Sequence, residues 1–173
     1  VKALEVAMAV ENGADEVDIV LNVGRMLTGE YDEAANEVEV IRTEMDDDVV
    51  LKVIIESGAL KTPELIRKAS LLSMLAGADF VKTSTGKIDV AATPEAAVVM
   101  CQAIRDYYDK TGRKVGFKAA GGVRTAEDAA LYYTIVEEIL GKEWLTTELF
   151  RIGASSAANN ILSAIEGSEV KYF

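Results

Sequence analysis

The sequence has no histidine among its 173 residues, and this absence removes several kinds of active site at once. Ser-His-Asp triads, Cys-His pairs, HExxH zinc sites and histidine general bases all require an imidazole. The covalent nucleophiles that remain are lysine, serine, threonine and the carboxylates. Any covalent chemistry in this chain must therefore begin at one of those groups.

Cysteine is almost as scarce, since Cys101 is the only one. A single cysteine excludes an intrachain disulfide and is typical of a reducing compartment such as the cytoplasm. Cys101 lies in an apolar stretch, which favours a buried structural thiol over a reactive one. Half of the residues are hydrophobic, and glycine and proline are not in excess, so the composition is that of an ordinary globular protein.

Long apolar runs and positive charge are also lacking. No run approaches the roughly 20 residues of a membrane helix, and residues 1–5 lack the apolar stretch of a signal peptide. Because the sequence starts without Met and already in helical periodicity, we expect further residues upstream. The formal net charge of −11 argues against a nucleic-acid or anionic-membrane surface. An anionic substrate must then be held by a local site.

Short β-branched runs alternate with longer helical patterns, and this alternation predicts a parallel sheet. Five strands are expected, each followed by a helix, after a leading helix at about residues 1–13. Thr62, Thr93 and Thr125 are each expected to cap the start of a helix. The predicted strands are 17–22, 49–56, 79–85, 115–119 and 149–152.

A doubly wound sheet and a (β/α)₈ barrel both fit this order. The dinucleotide-binding fingerprint GxGxxG is absent, which argues against the doubly wound sheet. Segment 84–87 looks like the end of a P-loop, but Val81 stands where the first glycine of that motif belongs, so we reject it. We therefore expect a single domain, 1–173, with five units of the barrel, and we interpret Trp144 as a packing anchor.

Charged residues interrupt four of the five predicted strands, although buried parallel strands are normally continuous apolar runs. Side chains alternate along a strand, so Asp18, Lys52, Lys82 and Lys118 share one face, which points inwards in a barrel. One interpretation is an internal salt-bridge network in which Asp18 and Glu56 pair with the lysines. Buried charges are rare without a partner or a function, and three lysines with one aspartate on successive strands favour function.

Lys82 and Lys118 are expected roughly 5 Å apart on adjacent strands. Desolvation beside a second cation lowers the pKa of a lysine, and the neutral amine can then attack a carbonyl to form a Schiff base. An iminium is an electron sink that stabilises a carbanion at the adjacent carbon, which indicates carbon–carbon bond making and breaking. Asp18 would shuttle protons, since no histidine is available.

Two glycine turns predict an anion site. Segments 121–125 and 153–156 each follow a strand and lead into a helix, where backbone N–H groups and the helix dipole bind anions. In (β/α)₈ barrels, the loops after strands 7 and 8 often form a phosphate site. Lys87 is expected near these turns.

Segments 79–87 (DFVKTSTGK) and 116–125 (GFKAAGGVRT) resemble the two signatures of the deoxyribose-phosphate aldolase family, and segments 14–18, 51–56 and 153–156 match in order. The resemblance covers essentially the whole chain. It implies a class I aldolase, an aldehyde-lyase of deoxyribonucleotide catabolism, that uses no metal or cofactor. Such an enzyme reversibly cleaves 2-deoxy-D-ribose 5-phosphate to acetaldehyde and glyceraldehyde 3-phosphate.

The resemblance also implies roles for particular residues. Lys82 forms the Schiff base, Lys118 lowers its pKa, and Asp18 relays protons. Tyr172 is compatible with the tyrosine of the family's flexible tail, but no motif anchors that match. The remaining residues expected around the substrate and its phosphate are Lys52, Gly86, Lys87, Gly121, Gly122, Arg124, Gly153, Ser155 and Ser156.

Length is the main departure from the family pattern. A barrel of this class has about 250 residues, so the family's first three strands should precede Val1. Five strands alone would expose both sheet edges, so we expect either a longer chain or closure in a homo-oligomer. Two alternatives stay open: a transaldolase-like Schiff-base barrel with a larger ketose donor, and an inactive fragment that acts only in assembly.

Overall fold

Helices and strands alternate along the chain in a computed structural model, which describes residues 1–155 and 157–172. The helices are α1 (Lys2–Glu11), α2 (Val23–Thr28), α3 (Tyr31–Arg42), α4 (Ser57–Leu60), α5 (Pro63–Leu75), α6 (Pro94–Thr111), α7 (Ala126–Leu140) and α8 (Ala157–Glu166). The strands are β1 (Glu16–Val20), β2 (Val50–Ile54), β3 (Phe80–Lys82), β4 (Gly116–Ala120) and β5 (Phe150–Gly153). A 3-10 helix, Lys142–Trp144, precedes β5.

The five strands form one parallel sheet in chain order, from β1 at one edge to β5 at the other. Each strand is followed by helices that return the chain to the start of the next strand, so the predicted fold class is confirmed: five consecutive units of a (β/α)₈ barrel. The register places Asp18 opposite Lys52 and Lys82 opposite Lys118. Residues that sequence alternation assigned to one face therefore lie side by side.

The first three strands end earlier than predicted because their last residues make other contacts. Asn22 caps α2, and its side chain accepts a hydrogen bond from the backbone N–H of Arg25. Glu56 has a φ of 54° and precedes α4. Thr83 follows the end of β3; its backbone N–H still donates to the carbonyl of Lys118, and its hydroxyl pairs with the backbone of Ala120 on β4. The short helices α2 and α4 were not predicted.

The three predicted threonine caps are confirmed. The hydroxyls of Thr62, Thr93 and Thr125 each accept a hydrogen bond from the N–H three residues on. Asp128 completes a capping box with Thr125, and its bonds from the backbone N–H groups of Arg124 and Thr125 lower the pKa of its carboxyl. Other helix limits differ by a few residues, since α3 ends at Arg42 rather than 45 and α8 starts at Ala157 rather than 155.

The core lies between the outer face of the sheet and the helices. Leu51, Val81 and Phe117 are fully buried there, one from each of the three central strands. Cys101 is fully buried as predicted, and burial raises the pKa of its thiol. Trp144 is confirmed as a packing residue, since it is fully buried and its indole N–H donates to a strand-flanking carbonyl. No helix in the described part of the chain is long and apolar enough to cross a membrane.

Candidate active site

Three lysine amines meet one carboxylate on the inner face of the sheet. The Nζ atoms of Lys82 and Lys118 lie 2.7 and 3.0 Å from Oδ2 of Asp18. Lys52 donates to the other oxygen, Oδ1, at 2.9 Å. Asp18 lies on edge strand β1 whereas Lys118 lies three strands away on β4, so the inner face curves enough to bring them into contact.

The three lysines differ in how much of each side chain is exposed. Lys52 is 4% exposed, whereas Lys82 and Lys118 are 14% and 19% exposed. Lys82 and Lys118 are therefore the amines that a small molecule can reach, and Lys52 is buried against carboxylates.

Asp18 is a carboxylate at neutral pH. Its burial favours the neutral form, but hydrogen bonds from Lys82, Lys52 and Lys118 outweigh burial and hold the pKa of the carboxyl well below its ordinary value. The ionised group can accept hydrogen bonds from both reachable amines at the same time, so it fixes their positions relative to one another.

A second ion pair joins the two edge strands, and sequence reasoning missed it. Arg151 on β5 binds Glu16 on β1 through both guanidinium Nη atoms, at 2.9 and 3.2 Å. Glu16 also lies 2.7 Å from the amine of Lys52. Hydrogen bonds from Arg151 and Lys52 lower the pKa of Glu16. The sequence did offer one signal for Glu16: it is two residues before Asp18, and residues two apart on a strand have side chains on the same face.

A cavity of about 430 Å³ opens beside the two reachable lysines. Most of the residues expected around the substrate line this cavity. They come from β3, β4 and β5 and from the turns that follow these strands. The lining residues are Lys82, Thr85, Gly86, Lys118, Ala120, Gly121, Gly122, Val123, Arg124, Gly153, Ala154 and Ser155. Asp18 contacts the two lysines of this wall without lining the cavity itself.

Two glycines of the cavity are required by close packing. Gly121 has a φ of +85°, and a Cβ there would lie 2.7 Å from the Cβ of Ala91. A Cβ on Gly153 would lie 2.9 Å from the Cβ of Ala120. Larger residues at these positions would displace the turns, so the glycines allow the two turns to pack together, with the N–H of Gly121 bonded to the carbonyl of Gly153.

Thr83 aligns the strands that carry the lysines. Its hydroxyl accepts from the N–H of Ala120 and donates to the carbonyl of Ala120, both at 2.9 Å. Together with the bond from the Thr83 N–H to the Lys118 carbonyl, these bonds extend the pairing of β3 with β4 beyond Lys82, so Lys82 and Lys118 stay opposite one another. Sequence reasoning did not single out Thr83.

Other expected site residues lie elsewhere. Lys52 is buried behind the cavity wall, and Lys87 is exposed, with its backbone N–H bonded to Thr85. Ser156 lies outside the described residues. Tyr172 is 78% exposed, and its backbone N–H donates to the side-chain oxygen of Asn159.

Of the two carboxylates in the salt-bridge interpretation, Asp18 pairs with the three lysines, whereas Glu56 binds Thr85 instead. Its carboxylate accepts hydrogen bonds from the backbone N–H and the hydroxyl of Thr85, at 3.2 and 2.5 Å. The left-handed backbone of Glu56 lies beyond the end of β2, and it turns the side chain towards the loop after β3. Strand alternation therefore does not apply to this residue.

The fold and the inner-face lysines place the chain among the (β/α)₈-barrel proteins. Within that class it belongs to the DeoC/LacD family of aldolases, whose family model matches residues 1–158.

Curated relatives include deoxyribose-phosphate aldolases of Mus musculus, 49% identical, and Homo sapiens, 47% identical, each over 157 residues. Each match covers 91% of this chain and 49% of the relative, so the chain spans about half the length of the curated relatives it matches. A solved Coccidioides immitis structure, assigned to the deoxyribose-phosphate aldolases, has a TM-score of 0.78 at 31% identity. That match covers 94% of this chain and 57% of the other.

Proposed function

We propose that this chain carries the catalytic lysines of a class I aldolase that reversibly cleaves 2-deoxy-D-ribose 5-phosphate to acetaldehyde and D-glyceraldehyde 3-phosphate. The proposal rests on the meeting of the Lys82 and Lys118 amines at one oxygen of Asp18, beside a cavity with two glycine turns. Membership of an aldolase family supports it, as do the names of the mouse and human relatives.

The chemistry begins when the neutral amine of Lys82 adds to the C1 aldehyde of the open-chain sugar and water is lost, giving an iminium. Removal of the proton from the C3 hydroxyl breaks the C2–C3 bond. The electron pair of that bond enters the iminium to form an enamine, and glyceraldehyde 3-phosphate leaves. Protonation at C2 and addition of water then release acetaldehyde and restore the lysine.

The charges around Lys82 are unbalanced. The cluster holds four cationic side chains against two carboxylates, Glu16 and Asp18. We propose that Lys82 is the nucleophile, that Lys118 supplies the neighbouring charge, and that Asp18 relays protons between them.

The far end of the cavity would hold the phosphate. The turns at Gly121-Gly122 and Gly153 line that end, and Arg124 adds a cation to the same wall; glycine turns of this kind can bind anions. A local positive site of this kind is needed, because the net charge of −11 repels anions at long range. Phosphate contacts from Lys87 and Ser156, direct substrate contact by Lys52 and a role for Tyr172 stay predictions, as does catalysis without a metal or cofactor.

Borohydride trapping tests the function. Acetaldehyde and borohydride should leave a reduced two-carbon adduct on Lys82, located by peptide mass mapping. Lys82→Arg keeps the charge and should lose the adduct, whereas Lys114→Arg, a matched change at a lysine that stacks on Trp144, should keep it. Absence of an adduct, or adducts scattered over surface lysines, would contradict the proposal and favour an inactive fragment. Trapping only with a ketose phosphate would favour a transaldolase-like enzyme.

Assembly and location are further predictions. In the described part of the chain, β1 and β5 each have one open edge, which is where a second copy could pair. Sedimentation velocity over a range of concentrations tests for a homo-oligomer. A cytoplasmic location is predicted from the sequence, and cell fractionation tests it.

A further inference from the structure

Glu56 is a buried acid that lies outside the lysine cluster. It is 6% exposed, and its backbone is left-handed, with φ 54° and ψ 58°. Among the non-glycine residues of the described chain, only Lys61 also has a positive φ. A left-handed glutamate is strained and persists only where its surroundings impose it, and such strain clusters at functional sites. The contacts that impose this conformation therefore indicate what Glu56 does.

The residues on either side of Glu56 are bonded to the end of β3. The N–H of Ile55 donates to the carbonyl of Lys82 at 3.0 Å, and the N–H of Ser57 donates to that of Thr83 at 2.9 Å. Both bonds continue the pairing of β2 with β3 past the last residues of the two strands. The backbone of Glu56 is therefore fixed beside the strand end that carries the proposed nucleophile.

The carboxylate of Glu56 holds the loop after β3. Oε1 accepts from the N–H of Thr85 at 3.2 Å, and Oε2 accepts from the Thr85 hydroxyl at 2.5 Å. The same hydroxyl accepts from the N–H of Lys87 at 3.1 Å. One carboxylate and one hydroxyl thus fix the residues on both sides of Gly86, which has a φ of +74°.

Gly86 brings this loop to the wall of the lysine cavity and against the glycine turn. Thr85 and Gly86 both line the cavity, and a Cβ on Gly121 would lie 3.1 Å from the Cα of Gly86. The N–H groups of Thr85 and Lys87 are bonded, whereas that of Gly86 has no partner in the described part of the chain. A backbone N–H without a partner beside a glycine turn is suited to binding an anion.

We propose that Glu56 is a positioning residue: by holding Thr85, it keeps Gly86 and the glycine turn at the spacing that binds the phosphate of the substrate. This role rests on the proposed aldolase function, which assigns the phosphate to that end of the cavity. Glu56 does not line the cavity, so it acts through the loop. Its negative charge alone would disfavour a nearby anion. Positioning and charge therefore predict opposite effects when the carboxylate is removed.

Titration with inorganic phosphate, followed by the amide NMR shifts of the folded chain, measures this effect. The parent should show saturable shifts at Gly86, Gly121 and Gly122. Glu56→Gln keeps the side-chain size but replaces one acceptor oxygen with an amide that cannot accept from Thr85. It should weaken phosphate binding by about 3- to 10-fold, the effect of one hydrogen bond.

Changes at Thr85 test the same contact from the loop, also where Glu56→Gln fails to fold. Thr85→Val lacks the hydroxyl at constant size and should weaken phosphate binding to a similar extent. Thr85→Ser keeps the hydroxyl and should bind phosphate as the parent does. Glu37→Gln is the matched control, because this carboxylate on α3 binds Lys2 and Asn22, and it should leave the affinity unchanged.

Borohydride trapping with acetaldehyde separates this role from the function on which it rests. Acetaldehyde carries no phosphate, so Glu56→Gln should form the Lys82 adduct as the parent does. A parent chain without an adduct contradicts the aldolase function, whereas the phosphate titration decides the role of Glu56. Unchanged or tighter phosphate binding in Glu56→Gln or Thr85→Val overturns the proposal, as does a parent without saturable shifts. An equal loss of trapping and phosphate binding would show general damage to the fold and would also overturn it.

Discussion

The amines of Lys82 and Lys118 share a single acceptor, since both donate to Oδ2 of Asp18, at 2.7 and 3.0 Å. The two lysines face each other on neighbouring strands, whereas the carboxylate comes from the edge of the sheet. One oxygen thus links the group proposed as nucleophile to the group proposed to tune it. A substitution of any one of the three residues should therefore change the hydrogen bonding and charge around the other two.

Removing the charge of Lys118 should move the pH profile of borohydride trapping at Lys82. In Lys118→Leu the positive charge beside Lys82 is lost, and with it the proposed activation of the nucleophile. We expect trapping to fall about tenfold near pH 7 and to recover at higher pH. Lys118→Arg keeps the charge and should shift the profile much less. An unchanged profile in Lys118→Leu would show that Lys118 does not tune Lys82.

Asp18→Asn should destabilise the fold at neutral pH but much less in acid. The lowered pKa of Asp18 means that its ion pairs stabilise the folded state above the unfolded pKa, near 4, and that this stability is lost as the pH falls towards the folded pKa. We expect a loss of about 2 kcal/mol at pH 7, measured by urea unfolding. The difference between the two proteins should shrink progressively below about pH 4. A constant difference at all pH values would contradict this account.

Glu16 and Arg151 should show a measurable coupling in a double-mutant cycle. The pair is bidentate but about one-third exposed, so we expect a coupling of about 1 kcal/mol, at the upper end for exposed pairs. Glu16→Gln removes the charge at constant size, and Arg151→Gln removes the charge with a shorter polar side chain. The coupling should fall in about 1 M salt, where the Debye length is near 3 Å. Strict additivity at low salt would show that this contact contributes nothing to stability.

Thr125→Ala should destabilise the chain by about 1 kcal/mol through loss of the α7 cap. Thr134→Ala, on the same helix, is a suitable control, since its exposed hydroxyl bonds a carbonyl four residues earlier. Its effect should stay within about 0.5 kcal/mol. Thermal unfolding checks both, and one cooperative transition would support the predicted single domain, 1–173. A Thr125→Ala loss no larger than that of the control would contradict the assigned cap.

Much of the fold and the inner-face cluster could be predicted because they depend on local periodicity. Alternation along a strand determines which residues share a face, and this was enough to group Asp18 with Lys52, Lys82 and Lys118. Threonine before a helical pattern was enough to locate three caps.

What escaped prediction depends on curvature or on single backbone conformations. The contact between Glu16 and Arg151 needs a sheet curved enough for its edge strands to approach, and no local pattern reports that distance. Glu56 does not contact the strand lysines, because its own left-handed backbone conformation turns its side chain towards Thr85. Thr83 acts through its hydroxyl, where the sequence indicated only a strand residue.

The segment after β3 borders two cavities, the lysine site and a cavity of about 350 Å³ that is also lined by Pro63, Ile66 and Val99. Gly86 lies on the wall of the lysine site, and Val90 and Ala91 lie on the wall of the other cavity. The N–H of Ala92 bonds the carbonyl of Gly121, which ties this segment to the glycine turn. Thermodynamic reciprocity then applies: if a guest on one side alters affinity on the other, the second guest must alter the first by the same factor. Binding in the two cavities is therefore coupled in both directions or not at all.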